Sequence, residues 1–571
     1  MQNDIRGMYV TPDGTIYTAS NWDEGGREAS VYSTNGAYLD AMDDTHARTW
    51  YAVAVGNNYV FEGYDDGFQR YDLDGTKNGS YVQVSTDTID DAAVHGLAIN
   101  AAANELYVND WKDGQIDVYN TSTLAKLRSW NFSNGGQMAF DGTNLWAVQN
   151  KNIVKKSSTG TVLATITTVA RPNGLWCDKL GSGESARLLV VDTGPDQQIK
   201  IFNISTSTPS QTGTFGTQYG IASGIPGQCG PLKLDGSSAV ATDAAGNMYV
   251  ASRGNLNSLT SPRIAYSQAG LVLRKFNSAG TMQWQREALH FVDVSTTDPA
   301  DENKIYTPYH IYDMNYNLNE AGQEWSHVSS TMNVALYPSD ARVLYSKKAN
   351  KAIVRTFGGN KYLYVTFFET DMFAVYKMDG QIAKPCTVRS DDELSSFFEN
   401  APTAKGYWYW QDNNGDGRIQ ANEYRLDGTK DILWNGEEPD NNGNLWKCNW
   451  DTKAIEYIPV QSVNSFGVPV YAFAPTVVPY TGALANDATR VQYVPATNTM
   501  YLAGATTAWG QFKKVIKYSD WTGTRTADWT ITLSQDYLAL DVAESYVFLG
   551  VTKNTAWGAS RDLQRCRWIY Y

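Results

Sequence analysis

Short runs of alternating apolar and polar residues fill this chain, and clusters of Gly, Asn, Asp and Pro separate them. That period-two pattern is the mark of half-buried strands. One unit recurs: a run, a turn, a second run ending in a polar or aromatic loop, then a third run. Clear copies are "MYVTPDGTIYTASNWDEGGREASVYSTNG", "GLAINAAANELYVNDWKDGQIDVYNTST", "MAFDGTNLWAVQNKNIVKKSSTG" and "VQYVPATNTMYLAGATTAWGQFKKVIKY". Units begin near residues 5, 50, 92, 134, 171, 235, 343, 490 and 537, with a further one within 290 to 340. Early units repeat about every 40 residues, the length of a four-stranded propeller blade. The pattern predicts an all-β chain: a single β-propeller of eight four-stranded antiparallel blades, seven being the alternative. The last unit, ending "RCRWIYY", is short, so the N-terminal strand is expected to complete it. Two stretches interrupt the repeats, 254 to 268 and about 390 to 488. The expected layout is therefore blades over 1–389, an insertion over 390–488 and closing blades over 489–571.

The insertion contains "QDNNGDGRIQANEYRLDG". It fits D-x-[DN]-x-[DN]-G-x₅-E, a twelve-residue calcium loop. Calcium takes six to eight oxygen ligands, here from Asp412, Asn414, Asp416, the Arg418 carbonyl, Gln420 and Glu423. Gly417 stands where the chain turns sharply, and Ile419 gives the loop an apolar anchor. An intracellular sensor needs a helix on each side of such a loop. Here "KGYWYWQ" upstream suits a strand, and the downstream residues allow one helical turn at most. The loop therefore reads as a static Ca²⁺ clip, suited to surroundings rich in calcium.

Several blades resemble NHL/SMP-30-type propellers: "RPNGLWCDK…LLVVDTG" over 171–194, "GLAINAAANELYVND" and "VATDAAGNMYVASRGN". In lactonases of that superfamily the Asn of the P-N-G motif holds a metal, which maps onto Asn173. A later D-G aspartate maps onto Asp235. The family's first-blade acidic ligand has no counterpart in "DIRGMYVTPDG". The resemblance implies a propeller fold, and a fold of this kind hosts many activities.

Strands alternate in direction, so loops after each second strand and loops between blades share one face. That face collects Trp22, Trp111, Trp509, Trp557, Tyr64 and Arg253 as candidate sugar-binding residues. An indole stacks on the apolar face of a sugar, while carboxylates and amides hydrogen-bond its hydroxyls. Asp23, Glu24, Asp65, Asp66, Glu369 and Asp371 are the candidate acids for glycoside chemistry, which commonly uses two carboxylates. His46, in a blade-joining loop, and His95, entering an inner strand beside the central channel, are the candidate bases for a lyase.

The formal net charge is -14 and no basic run stands out, so nucleic acid is not an expected partner. No apolar stretch is long enough to span a bilayer as a helix. "MQNDIRGMYV" is not a signal peptide and reads as a Met before a mature secreted N-terminus. The five cysteines show no C-x₂-C pair, which argues against structural zinc. Aromatics at 13% with few basic residues suit a secreted sugar-handling β-protein. The expectation is a secreted, monomeric propeller that binds or cleaves a polysaccharide. A metal-dependent lactonase and a protein-interaction ring are the alternatives.

Overall fold

In the computed structural model the alternating runs become antiparallel strands, and among the described residues helix is limited to single turns such as Ala341–Leu344. The structure describes residues 5–20, 29–42, 51–64, 66–85, 93–178, 186–254, 271–288, 295–318, 324–334, 336–344, 349–367, 372–390, 407–427, 438–449, 453–481, 484, 488–505, 512–532, 546–552, 555–560 and 566–570. The chain divides into two compact units, Met1–Phe291 and Val292–Tyr571.

The first unit holds six four-stranded sheets, each built from consecutive strands. Their first strands are Ile5–Val10, Ala52–Gly56, Val94–Asn100, Gly135–Phe140, Pro172–Asp178 and Ser237–Thr242. Their second strands are Ile16–Ser20, Tyr59–Gly63, Glu105–Asp110, Leu145–Gln149, Arg187–Asp192 and Met248–Ser252. Fourth strands such as Lys126–Asn131 and Ser210–Phe215 are the exposed outer ones.

Alternation makes each sheet apolar on both faces. In sheet five, Leu188 and Val190 pack on sheet four, while Leu189 and Val191 pack on sheet six. Six apolar layers result. Five join successive sheets, and the sixth sets Ile5, Met8 and Val10 of sheet one against Ala239, Ala241 and Ala251 of sheet six. The Ser238 hydroxyl also donates to the Ile5 carbonyl across that seam. An open row of six sheets has five interfaces. Six interfaces mean that the order returns to its start, which is a β-propeller-like arrangement.

This differs from the expected single ring through the whole chain. Ile5–Val10 is the edge strand of its own sheet and pairs with Ile16–Ser20, so it does not complete the last blade. The last sheet, Tyr546–Thr552, Thr555–Ser560 and Cys566–Tyr570, has three strands.

The second unit is also built of antiparallel sheets. Its largest has six strands: Ala349–Phe357, Asn360–Phe367, Phe373–Asp379, Ile382–Ser390, Tyr407–Gln411 and Tyr424–Asp427. Ile382–Ser390 pairs directly with Tyr407–Gln411, so the calcium-like loop extends a sheet rather than standing apart. Cys386 and Cys448 are buried free thiols.

Candidate functional site

Five first strands of the first unit carry an irregularity near their start. Pairing skips Arg6 between Ile5 and Gly7, and His95 between Val94 and Gly96. It also shifts across Gly136–Gln137, Asn173–Gly174 and Ser238. A bulge leaves one residue out of the ladder and re-aims its side chain. These residues, with Tyr51 just before the regular first strand of sheet two and Arg253 just after the second strand of sheet six, line one pocket. All six sheets contribute. The pocket is small, about 40 Å³. It lies at the starts of first strands and the ends of second strands, the end on which the sequence reading placed function.

Glycine makes the convergence sterically feasible. A Cβ on Gly96 would stand 2.5 Å from the Gly136 carbonyl oxygen of the next sheet. One on Gly174 would stand 2.6 Å from the Ser238 carbonyl oxygen. Bare backbone at both places lets neighbouring first strands close on the axis.

A stack of flat groups forms one wall. The Arg6 guanidinium lies 4.3 Å from the Tyr51 ring centre. Tyr51 stacks on His95 at 5.3 Å with 15° between planes, and His95 stacks on Trp111 at 5.0 Å and 14°. Trp111 follows Asp110, whose side chain accepts the Asp113 N–H at 3.0 Å and so fixes the turn that carries the indole. Burial raises the Asp110 carboxyl to about 6. The Gln137 amide donates to the Tyr51 carbonyl at 2.8 Å, and the Asn173 amide to the Ser237 carbonyl at 3.4 Å.

His95, Asn173, Trp111 and Arg253 are thus brought together. The remaining candidates fare differently. Tyr64 is buried between sheets one and two, its hydroxyl bonded to that of Tyr71, so it serves the core and not an open face. Asp66 accepts the Tyr81 hydroxyl and its carbonyl accepts the Val84 N–H, which makes it a turn acceptor. Asp235 is absent from the pocket lining; its charge acts on Arg274 and Cys229. Of the pair, only Asn173 lines the pocket. Asn173 and Gly174 also sit in a strand bulge and not in a turn. Trp22, Asp23, Glu24, His46, Asp65, Glu369, Asp371 and Trp509 lie outside the described residues, as does the Trp557 side chain. Sequence reasoning missed Arg6, Tyr51, Gln137 and Ser238. The signal available was a polar residue beside glycine at the head of a unit, as in "IRGMYV", "VHGLAI" and "PNGLWC".

In the second unit the loop from 412 to 423 links the Tyr407–Gln411 strand to a 3₁₀ turn, Ala421–Glu423, and then the Tyr424–Asp427 strand. Asp412 accepts backbone N–H groups of Gly415 at 2.7 Å, Asp416 at 3.2 Å and Gly417 at 2.9 Å. Asn414 and Gln420 both donate to one Asp416 oxygen, at 3.1 and 2.6 Å. Asp416 also accepts the Arg418 N–H. Glu423 accepts the Asn413 N–H and the Trp410 indole, both at 2.9 Å. Asp412 and Glu423 are buried, and desolvation raises both above the usual carboxylate range. Gly415 and Gly417 have φ of 80° and 71°, the left-handed region that favours glycine. No group of three or more His, Cys, Asp or Glu side chains gathers as a metal cluster among the described residues. An oxygen-rich loop relies as well on amide and carbonyl oxygens, so the donor set of 412–423 still fits a hard dication.

The fold defines an all-β, propeller-like protein. No protein-family model matches the chain, and no curated protein matches it. Three solved structures illustrate what it is similar to. A chain of the mitotic checkpoint complex is 12% identical, with 58% of this chain and 93% of that chain covered, at a TM-score of 0.32. An auxiliary nutrient binding protein from Bacteroides thetaiotaomicron is 13% identical, covering 44% and 67%, at 0.34. A chain of a nidogen/laminin complex is 15% identical, covering 50% and 92%, at 0.30. Likeness at these scores carries no argument about activity.

Proposed function

We propose that the first unit is a closed six-bladed propeller whose axial pocket recognises a carbohydrate, in a secreted protein whose second unit is clipped by calcium at 412–423. The supporting observation is convergence: bulged strands from five sheets, with Tyr51 from sheet two, deliver hydrogen-bonding side chains to one concave space. Tyr51 and His95 border it, and Trp111 stacks on His95. A sugar presents a flat apolar face and a rim of hydroxyls, and this wall and rim complement both. The described lining holds no carboxylate, so recognition is the activity argued for. A paired-acid hydrolysis would draw on residues elsewhere.

Glycan-array binding followed by titration calorimetry tests this. Trp111→Ala removes the outer stacking ring, and Asn173→Ala removes an amide. Each is expected to weaken binding roughly tenfold or more, from the loss of one stacking or polar contact. Full affinity in both variants refutes the axial site. For the clip, millimolar calcium is expected to raise the melting temperature of the second unit. Asp416→Asn, at an exposed position, is expected to abolish that rise while leaving the melting point in chelator unchanged. A wild-type melting point indifferent to calcium refutes the clip.

A further inference from the structure

We propose that the layer between sheets one and two holds a proton-operated latch: Glu62 donates a carboxyl O–H to the amide oxygen of Gln69, and loss of that proton loosens the strand end that seats Tyr51 and His95 at the pocket. The latch is independent of what the pocket binds.

Glu62 lies in Tyr59–Gly63 and is fully buried, and Gln69, 1% exposed, stands directly opposite it in Gly67–Asp72. Side chains so paired share one face of the sheet, with Cβ atoms about 5 Å apart. The Gln69 amide donates to the carbonyls of Arg70 at 2.8 Å and Gly79 at 3.1 Å, which fixes the orientation of the amide. Its oxygen receives no donor, and neither does either oxygen of Glu62. Three buried acceptors thus share a face without a hydrogen between them, an arrangement that folded proteins avoid. A proton on Glu62 supplies the missing donor, since a protonated carboxyl can donate and a carboxylate cannot.

Among the described residues, the titratable neighbours of Glu62 in this layer are phenols and acids. Sheet one contributes Tyr9 and Tyr17, with Asp40 on its exposed fourth strand, Tyr38–Ala41. Sheet two adds Tyr64 and Tyr71, whose hydroxyls bond to each other, and Tyr81 donates to Asp66 beyond the strand end. The cations are engaged elsewhere: Arg6 lies over Tyr51 at the pocket, and Arg70 turns to the other face of sheet two, where it donates to the Thr121 carbonyl at 2.9 Å. Burial accordingly holds the Glu62 carboxyl well above the usual carboxylate range.

The strand ends one residue after Glu62, and the next two carbonyls hold the pocket. The Gly63 carbonyl accepts the Tyr51 N–H at 3.2 Å, and the Tyr64 carbonyl accepts the Val94 N–H at 3.3 Å, one residue before His95. A Cβ on Gly63 would stand 2.5 Å from the Val94 side chain, so the two sheets touch closely there. Tyr51 and His95 stack on each other and line the pocket. An ionised Glu62 is relieved by water, and the strand end is the part that yields to admit it.

The test uses the full chain and Glu62→Gln, which keeps the shape, cannot ionise and still donates to Gln69. A carboxyl whose folded value lies above its unfolded one loses stability as pH rises between the two. Relative to the variant, the wild-type unfolding constant of the first unit is therefore expected to grow ~10-fold per pH unit above the ordinary glutamate value of 4.5, until the folded value is passed. The other carboxyls, Asp110 among them, are common to both proteins and cancel. Infrared difference spectra of the pair at pH 6 are expected to show a protonated carboxyl. In hydrogen-exchange mass spectrometry the Tyr51 and Val94 amides are expected to exchange alike in both proteins at pH 5, and faster in wild type at alkaline pH. Glu62→Met is the second variant, used if Glu62→Gln does not fold, and is expected to abolish the same pH dependence. A stability ratio flat with pH, or a carboxylate band at pH 6, overturns the proton site. Exchange at Tyr51 and Val94 that is alike in both proteins at every pH overturns the latch.

Discussion

Asp110→Asn should make the protein more stable at pH 8 and leave it nearly unchanged at pH 4. Asp110 ends the second strand of sheet three and is fully buried. One oxygen accepts the Asp113 N–H, while the other has no hydrogen-bond partner. Asp117, also buried, adds like charge. The sheet-five counterpart shows what is missing. There Asp192 ends the second strand, and Lys200 occupies the seat that Asp117 has in sheet three. The Lys200 ammonium stands 4.0 Å from Asp192. At these two seats sheet three thus has two carboxylates, with Asp117 paired to Lys126 at 2.7 Å and Asp110 left without a cation, where sheet five has an ion pair.

The magnitude follows from the carboxyl's value in the fold. Desolvation, the largest cause, raises it from 3.8 to about 6. Once fully ionised, such a group costs the folded state ~3 kcal/mol relative to an ordinary carboxyl. Its folded value lies above its unfolded one, so stability is greatest below the unfolded value and falls as pH rises through about 6. Asparagine keeps the oxygen that accepts the Asp113 N–H and cannot ionise. The variant should therefore gain ~2–3 kcal/mol at pH 8, which is roughly 3–5 °C in melting temperature for a unit of this size. Melting of wild type and variant by circular dichroism at pH 4, 6 and 8 measures the difference. A gap of the same size at pH 4 and pH 8, or a variant less stable at pH 8, refutes the reasoning.

Gly96→Ala should cost the first unit ~1–3 kcal/mol, because its Cβ would meet the Gly136 carbonyl at 2.5 Å and backbone cannot turn aside. Gly213→Ala, whose Cβ meets nothing nearer than 3.9 Å, is the control and should cost well under half of that in urea unfolding. Arg342→Met should destabilise the second unit by ~3–5 kcal/mol, because it strands the buried Asp340 carboxylate. The same variant deletes bonds to the Pro308 carbonyl at 2.7 Å and the Thr331 hydroxyl at 2.8 Å. A loss below 1 kcal/mol in its urea midpoint would mean that water replaces the guanidinium.

Strand content was legible because each sheet repeats one local pattern. "GLAINAAANELYVND" shows its two strands and its turn without help from the rest of the chain. The loop from 412 to 423 was legible for the same reason, since its hydrogen bonds mostly join residues within a few positions of one another. The packing of sheet one against sheet six was not legible. The seam between sheets one and six joins Ile5 and Val10 to Ala239 and Ala251, and its composition does not differ in kind from the layers between consecutive sheets. Nothing local marks where such a sequence stops adding sheets and returns. Tyr64 was misplaced on the open face because an aromatic at the end of a strand reads alike whether it turns outward or, as here, back into the layer toward Tyr71.

The axial residues escaped notice because a bulge is a property of a pair of strands. Whether Arg6 or Gly7 drops out of the ladder depends on how Ile5–Val10 meets Ile16–Ser20. Alternation alone assigns every residue of a strand to one neighbouring sheet or the other and leaves none for the axis. The extra residue breaks that parity: Ile5 and Met8 stay in the apolar layer with sheet six, and Arg6 is released to the pocket. Repeating the device in five sheets gathers polar side chains at one pocket among otherwise apolar layers at the cost of one ladder position each. It also separates two kinds of constraint. The glycine beside the bulge is held by close backbone approach, as at Gly96 and Gly174. The bulge residue is held instead by its side chain: Arg6 lies over Tyr51, His95 stacks on Tyr51 and Trp111, and the Asn173 amide and Ser238 hydroxyl donate to backbone carbonyls. Contacts of that kind can be met by different side chains, and Arg6, His95, Asn173 and Ser238 differ in chemistry while sharing one bulge position.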